Sequence, residues 1–255
     1  MVFLETMFPI VHAVTDSGAV THPDFLERAT SIMRALGSRG ALHLRSSRTT
    51  GRRFYELAEA LAEVQKKTGC WLIVNDRVDI AAAVHANGAQ LASHSLRISE
   101  ARRVSPNLAL GISVHSVEEA VEAEEAGAAW CVAGTVFETP SHRGRVPARV
   151  EFIQKVAAAV KIPVIAIGGI RPEDVPILKR AGAHGVATIR GAVWGNASDD
   201  STEEESLMET RLPLPLESGF LEPVTRYISA YDSDAGSGGD HQADGERSAP
   251  EAGEE

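Results

Sequence analysis

The sequence predicts an α/β fold, a single (β/α)8 TIM barrel, and three observations predict it. Eight short β-rich runs alternate with helix-patterned stretches, the runs are apolar almost without interruption, and polar, charged and glycine residues gather at their carboxyl ends. A strand followed by a crossover helix returns in the same direction, so alternation implies parallel pairing. Continuous apolar strands imply burial on both faces. Eight such units suit closure into a barrel, and a chain of 255 residues suits one such domain. A doubly wound open sheet is the competing architecture, but no G-x-G-x-x-G follows the first strand, which argues against a dinucleotide site.

The expected strands are Ile10–Val14, Ala41–Leu44, Trp71–Val74, Ala89–Leu91, Leu108–Ile112, Ala129–Ala133, Pro163–Ile167 and Gly185–Ile189. Between the second and third, Phe54, Leu57, Ala58, Leu61 and Val64 recur at spacings of three and four, which makes one apolar helical face. Ser116 followed by Glu119 has the spacing of a capping box and opens a helix that Gly127 can stop. Arg171-Pro172-Glu173-Asp174 puts proline and acids in a first helical turn, where a helix amino terminus favours them. The pattern breaks after the eighth strand. Residues 197–218 read as an irregular acidic insertion. Leu221, Val224, Tyr227 and Ile228 then restore helical spacing for an eighth barrel helix. The barrel is expected over residues 1–231, and residues 232–255 are too polar to order themselves, a disordered acidic tail.

The formal charge of -10 is unevenly placed. From residue 197 onward there are 16 acidic side chains and 3 arginines, whereas residues 1–196 hold 22 basic and 19 acidic ones. The barrel itself is nearly neutral and shows no basic stripe with interleaved aromatics, which argues against nucleic acid as a partner. No apolar run approaches the ~20 residues that cross a bilayer, and the amino terminus lacks a basic leader, so a cytoplasmic protein is expected. Cys70 and Cys131 lack metal-ligand spacing and read as buried thiols. A homo-oligomer is compatible with the sequence.

In a barrel the chemistry sits where strands give way to the following loops. Those positions hold Thr15-Asp16, Arg45, Asn75-Asp76, Ser93, Ser113-Val114-His115, Gly134-Thr135, Gly168-Gly169 and Arg190-Gly191. Arg45 suits a carboxylate or phosphate, which a guanidinium meets bidentately, or a salt bridge to Asp16 or Asp76 at the mouth. Gly168, Gly169 and Gly191, with Arg190 beside them, suit a phosphate cradle between the seventh and eighth strands, where backbone N–H groups approach an anion. In that reading a side chain at Gly169 would push the anion out. His115 is the best placed of nine histidines for proton transfer, because imidazole titrates near neutrality. His12, His43, His94 and His142 also fall near the site. Asn75, Ser93, Ser113, Thr135 and Thr139 would line the substrate.

Several of these strand-end segments occur in an order that resembles the thiamine phosphate synthase/TenI superfamily: VTD at Val14–Asp16, LHLR at Leu42–Arg45, NDRVDIA at Asn75–Ala81, GISVHS at Gly111–Ser116, GTVFET at Gly134–Thr139, PVIAIGGI at Pro163–Ile170 and AGAHGVA at Ala181–Ala187. The resemblance implies a small phosphorylated thiazole ligand. For the synthases, which couple a pyrimidine pyrophosphate to a thiazole phosphate, it implies Mg2+ held by two acidic positions. Asp76 matches the first, but Ser95 stands at the second. Ser47 stands where a lysine is expected, and the T-x-T-K loop reads Thr139-Pro140-Ser141-His142. These departures turn the expectation toward the TenI branch: an isomerase, a thiazole tautomerase using His115 with no metal and no cofactor. A synthase with an altered metal site and a non-catalytic regulator that binds thiazole or thiamine phosphates are the alternatives.

Overall fold

The computed structural model of the chain describes residues 8–138, 149–189 and 221–233. Within them lie eight strands: β1 (Val11–Val14), β2 (Gly40–Leu44), β3 (Trp71–Asn75), β4 (Gly88–Leu91), β5 (Ala109–Val114), β6 (Trp130–Gly134), β7 (Val164–Ile167) and β8 (Gly185–Thr188). Each pairs in parallel with its neighbour, and β1 pairs with β8, so the sheet closes in sequence order. This is the (β/α)8 barrel that the alternation predicts. Strand boundaries fall within two residues of expectation. β5 runs on to Val114, so Ser113 is a strand residue and only His115 opens the loop.

The helices cover the barrel through the apolar stripes read from the sequence. In α3 (Gly51–Thr68), Phe54, Leu57, Ala58 and Leu61 are buried, Thr50 caps the amino terminus, and Gly69 ends the helix at φ 73°. Their partners are strand residues facing outward, such as Leu42, Leu44, Leu72 and Val74. In α6 (Val117–Glu125) the Ser116 hydroxyl accepts from the Glu119 N–H at 3.1 Å. Arg171 leads into a 3-10 turn at Pro172–Asp174, which continues as α8 (Val175–Arg180). Both cysteines are buried free thiols, and burial pushes each up to about 12.

A second cluster fills the lumen: Val14, Ala41, Ile73, Trp130, Val132, Ile165 and Ala187. Phe8 closes the amino-terminal end, with its ring 5.2 Å from Trp71, 5.4 Å from Trp130 and 5.4 Å from His184 between centroids. Trp130 crosses the lumen over Gly88 and Gly111. A Cβ at Gly88 would lie 2.7 Å from the indole, and one at Gly111 would overlap it. Those glycines are what let so large a ring lie inside the barrel.

The last helix, α9 (Glu222–Ser233), returns to the barrel after the eighth strand. Val224 and Tyr227 are buried, with Leu221 and Ile228 packed beside them, on the face that their spacing predicts. Asp232, the residue at which the sequence places the start of the tail, lies in this helix and meets Arg39 at 2.6 and 2.8 Å. The insertion at 197–218 and the remainder of the tail lie outside the described residues, as do Thr139, His142, Arg190 and Gly191.

Candidate active site

Because all eight strands are parallel, their carboxyl ends share one rim, and that rim collects Thr15, Arg45, Asn75, Ser93, Ser113, His115, Thr135, Gly168 and Gly169. Thr15 is fully buried and ties the first two strand ends together. Its hydroxyl donates to the Arg45 carbonyl at 2.7 Å and accepts from the Arg45 N–H at 2.7 Å. That clamp fixes the Arg45 backbone while its side chain stays exposed. The salt bridge to Asp16 or Asp76 is not made, and among the described residues the guanidinium forms no ion pair. Beyond it, Ser47 bonds Ser17 through its hydroxyl at 3.1 Å and its N–H at 3.0 Å, so the position expected to hold a lysine ties the loop after β2 to the short helix after β1 instead.

At the end of β3 the chain turns through Asp76 at φ 60°, an uncommon conformation for a residue with a side chain. Three bonds hold it there: Asp76 N–H to the Gln90 carbonyl at 2.9 Å, Ala92 N–H to Asp76 Oδ1 at 3.0 Å, and the Ser95 hydroxyl to the same Oδ1 at 2.6 Å. This arrangement tests the implied Mg2+ site. Magnesium takes oxygen donors, yet Ser95, at the second acidic position, donates to the one carboxylate that remains. Among the described residues no group of three or more His, Cys, Asp or Glu side chains is placed to hold a metal. The residues do not fit a two-carboxylate Mg2+ site. Ser93 lies exposed in the same loop, near His94.

Below the rim, one arc of the lumen is polar. His12 and His43 are buried, at 0% and 2% exposure, and their rings meet at 2.9 Å between Nδ1 and Nε2. His12 Nε2 donates to the Pro9 carbonyl at 3.0 Å, and His43 faces the Asn75 amide. Burial takes His12 down to about 4 and His43 well below the usual imidazole value, so both rings are neutral near pH 7. Further round, Trp130 Nε1 donates to Gln90 Oε1 at 2.8 Å and Gln90 Nε2 donates to Ser113 at 3.2 Å. Gln90 and Trp130, which the sequence reading missed, brace Ser113 from inside the barrel. Alternation along β4 and β6 is the signal that puts both inside the barrel.

His115 is exposed at the rim and doubly anchored. Its Nδ1 donates to the Gly134 carbonyl at 2.7 Å, and its backbone N–H donates to Glu119 at 2.6 Å. Because a carbonyl only accepts, the neutral ring carries its proton on Nδ1 and presents a lone pair at Nε2. The Glu119 carboxylate thus reaches one residue past the cap, to the histidine rather than to Ser116. Gly168 and Gly169 have φ of 109° and 63°. A Cβ at Gly169 would lie 2.6 Å from the Glu138 carbonyl oxygen, and one at Gly168 would overlap Thr135. The pair therefore packs against the loop after β6, so a side chain at Gly169 meets that loop first. Among the described residues neither glycine N–H is taken by a hydrogen bond. A separate shallow cleft beside Lys161, Pro163 and His184 lies at the opposite end of β7, away from this rim.

The fold and rim define a parallel (β/α)8 barrel with free backbone N–H groups, an exposed arginine and an anchored histidine at its carboxyl mouth. Residues 11–192 match the family model described as thiamine monophosphate synthase, and the chain belongs to that family. It is 37% identical over 175 residues to the thiamine-phosphate synthase of Pyrococcus abyssi, covering 68% of this chain and 84% of that protein. It is 38% identical to the thiamine-phosphate synthase of Halalkalibacterium halodurans, covering 70% and 85%. Among solved structures, thiamine phosphate pyrophosphorylase from Pyrococcus furiosus superposes with a TM-score of 0.70 at 28% identity, covering 89% of this chain and 98% of that one. These relatives overturn the expectation of a tautomerase, since they carry the synthase name. The physical reason is that Ser47, Ser95 and His142 remove charged contacts without building any new chemistry. Their absence was too slight a ground for an isomerase.

No helix among the described residues is long and apolar enough to cross a membrane.

Proposed function

We propose that the chain is a transferase of the thiamine phosphate synthase type, joining a pyrimidine pyrophosphate to a thiazole phosphate with release of pyrophosphate. The similarity to the synthases carries this reading, because it spans most of both proteins. The rim supports it with groups suited to anions. Arg45 is exposed beside β2 with its backbone clamped, and a planar guanidinium takes two phosphate oxygens at once. The N–H groups of Gly168 and Gly169 supply further donors after β7. His115 presents Nε2, which accepts a hydrogen bond when neutral and adds a positive charge when protonated. Asn75 and Ser113 line the polar arc that would orient a heteroaromatic ring, with Thr135 beside the glycine pair. Lysines and a second carboxylate are absent from the matching positions, so the proposal assigns the pyrophosphate to Arg45, His115 and backbone donors.

The test is a pyrophosphate-release assay on the purified chain with both thiamine precursors, each omitted in turn. Release is expected only when both are present, with the joined product formed in equal amount. Arg45→Ala should raise KM for the phosphorylated precursors about tenfold or more, the usual worth of a charge-assisted contact. Stoichiometric binding of both precursors without any pyrophosphate would reject the transferase and favour the binding protein.

A further inference from the structure

We infer that Trp130 is a positioning residue: through Gln90 it holds the Ser113 hydroxyl as a hydrogen-bond donor toward the carboxyl mouth. The three side chains point inward from β6, β4 and β5. In the sheet register Gln90 stands beside Gly111, and Gly111 stands beside Trp130. The glycine between them opens the path. A Cβ there would lie 2.1 Å from the indole nitrogen and 2.5 Å from Gln90 Oε1, so any side chain would fill the line of the bond that joins them. Trp130 and Gln90 are buried, at 0% and 3% exposure, away from water that would otherwise replace that bond.

Direction follows from what each group can do. An indole nitrogen only donates, so the Gln90 atom 2.8 Å from it is the carbonyl oxygen. The NH2 group then faces the other way, 3.2 Å from Ser113 Oγ and 3.4 Å from the Leu91 carbonyl, and each of its two N–H groups has an acceptor. Ser113 therefore accepts from Gln90. Its own O–H meets no acceptor among the described residues and is left to a ligand at the mouth. Without the indole N–H nothing holds the amide, which is then free to turn its oxygen to Ser113. The hydroxyl would spend its proton inside the protein and offer only lone pairs outward. Trp130 thus sets the polarity of a hydroxyl that it does not itself bond. An effect on turnover rests on the transferase reading. The direction of the hydroxyl in the free protein does not.

The deciding comparison removes the N–H and keeps the ring. Benzothienylalanine placed at position 130 of the full chain has the outline of tryptophan with sulfur instead of N–H. In the parent, nuclear Overhauser contacts are expected between the Gln90 NH2 protons and the Ser113 Hβ protons, and the analogue should lose them. Their absence from the parent, or identical contacts in both, overturns the inference. Pyrophosphate release from the two thiamine precursors gives a second readout. The analogue should lower kcat/KM about fivefold, roughly the worth of one hydrogen bond. A ring-fluorinated tryptophan, which keeps the N–H, should leave it unchanged. In a Ser113→Ala background the analogue should have no further effect, and an equal loss in both backgrounds would mean that the indole acts by packing alone, which overturns the inference. Circular dichroism accompanies each variant. If the analogue does not fold, Gln90→Met enters the same cycle, with the same loss expected in the parent and none in Ser113→Ala. A chain that releases no pyrophosphate, yet shows these contacts and loses them with the analogue, would lose the transferase reading alone.

Discussion

Gly169 shows how one position serves packing and ligand approach together. Its φ of 63° disfavours any side chain, and the Glu138 carbonyl stands 2.6 Å from where a Cβ would lie. Gly169→Ala is therefore expected to destabilise the fold by about 2–4 kcal/mol, from left-handed strain of ~1 kcal/mol plus displacement of the loop after β6. Urea unfolding checks this, and an unchanged midpoint would mean that the loop yields at no cost. Ser95 is a different case, since its hydroxyl occupies the place of an acid and donates to Asp76. Ser95→Asp would set two carboxylates together, where like charges repel unless a cation joins them. The variant should bind Mn2+ at least ~10-fold more tightly than the parent, an effect of about 1.4 kcal/mol, as read by electron paramagnetic resonance. Tight Mn2+ binding by the parent, lost in Asp76→Ala, would show that Asp76 holds a cation without a second carboxylate.

Among the elements, α9 rejoins the barrel from beyond the described break and packs on α8, on the 3-10 turn before it and on the helix Phe25–Leu36. Tyr227 is buried to 1% and its hydroxyl donates to the Ile170 carbonyl at 2.7 Å, just past the glycine pair. Tyr231 adds a hydroxyl bond to His184, and Lys179 donates to the Tyr231 carbonyl at 2.9 Å while lying 5.0 Å from its ring centroid. Tyr227→Phe keeps the ring and removes one buried donor, so a loss of about 1–2 kcal/mol is expected. The loop carrying Gly168 and Gly169 should loosen with it, visible as faster amide exchange at Ile170 and Arg171. Unaltered exchange there would show that α9 supports the barrel wall alone. The helical spacing of Leu221, Val224, Tyr227 and Ile228 made this helix legible in the sequence. Its hydrogen-bonding partners were not, because they lie between 47 and 193 residues earlier.

At the scale of the whole molecule, the buried His12–His43 pair ties stability to pH. Both rings titrate lower in the folded chain, His12 at about 4, with burial as the main cause; His184 adds to it at His12, and His12 adds to it at His43. Unfolded histidines titrate near 6.5, so between about pH 6.5 and 4 the unfolded chain binds more protons than the folded one. The stabilisation is complete above about 6.5 and is lost as pH falls through that window. From His12 alone it is on the order of 3 kcal/mol, a sizeable part of a typical 5–15 kcal/mol. Thermal unfolding at pH 7 and 4.5 should show a steep fall in Tm that His12→Phe flattens, and an equal fall in the variant would place the cause elsewhere. The sequence by itself determined the eight-stranded parallel barrel, the helix faces and which strand ends share the rim. These depend on apolar spacing and on the order of elements, and both are local properties of the chain. Only the tertiary structure decided that His12 meets His43 across 31 residues, that Ser95 closes on Asp76 across 19, and that the glycine pair backs onto the loop after β6. Such contacts depend on how strands register around a closed sheet, and neither residue of a pair carries a mark of its partner.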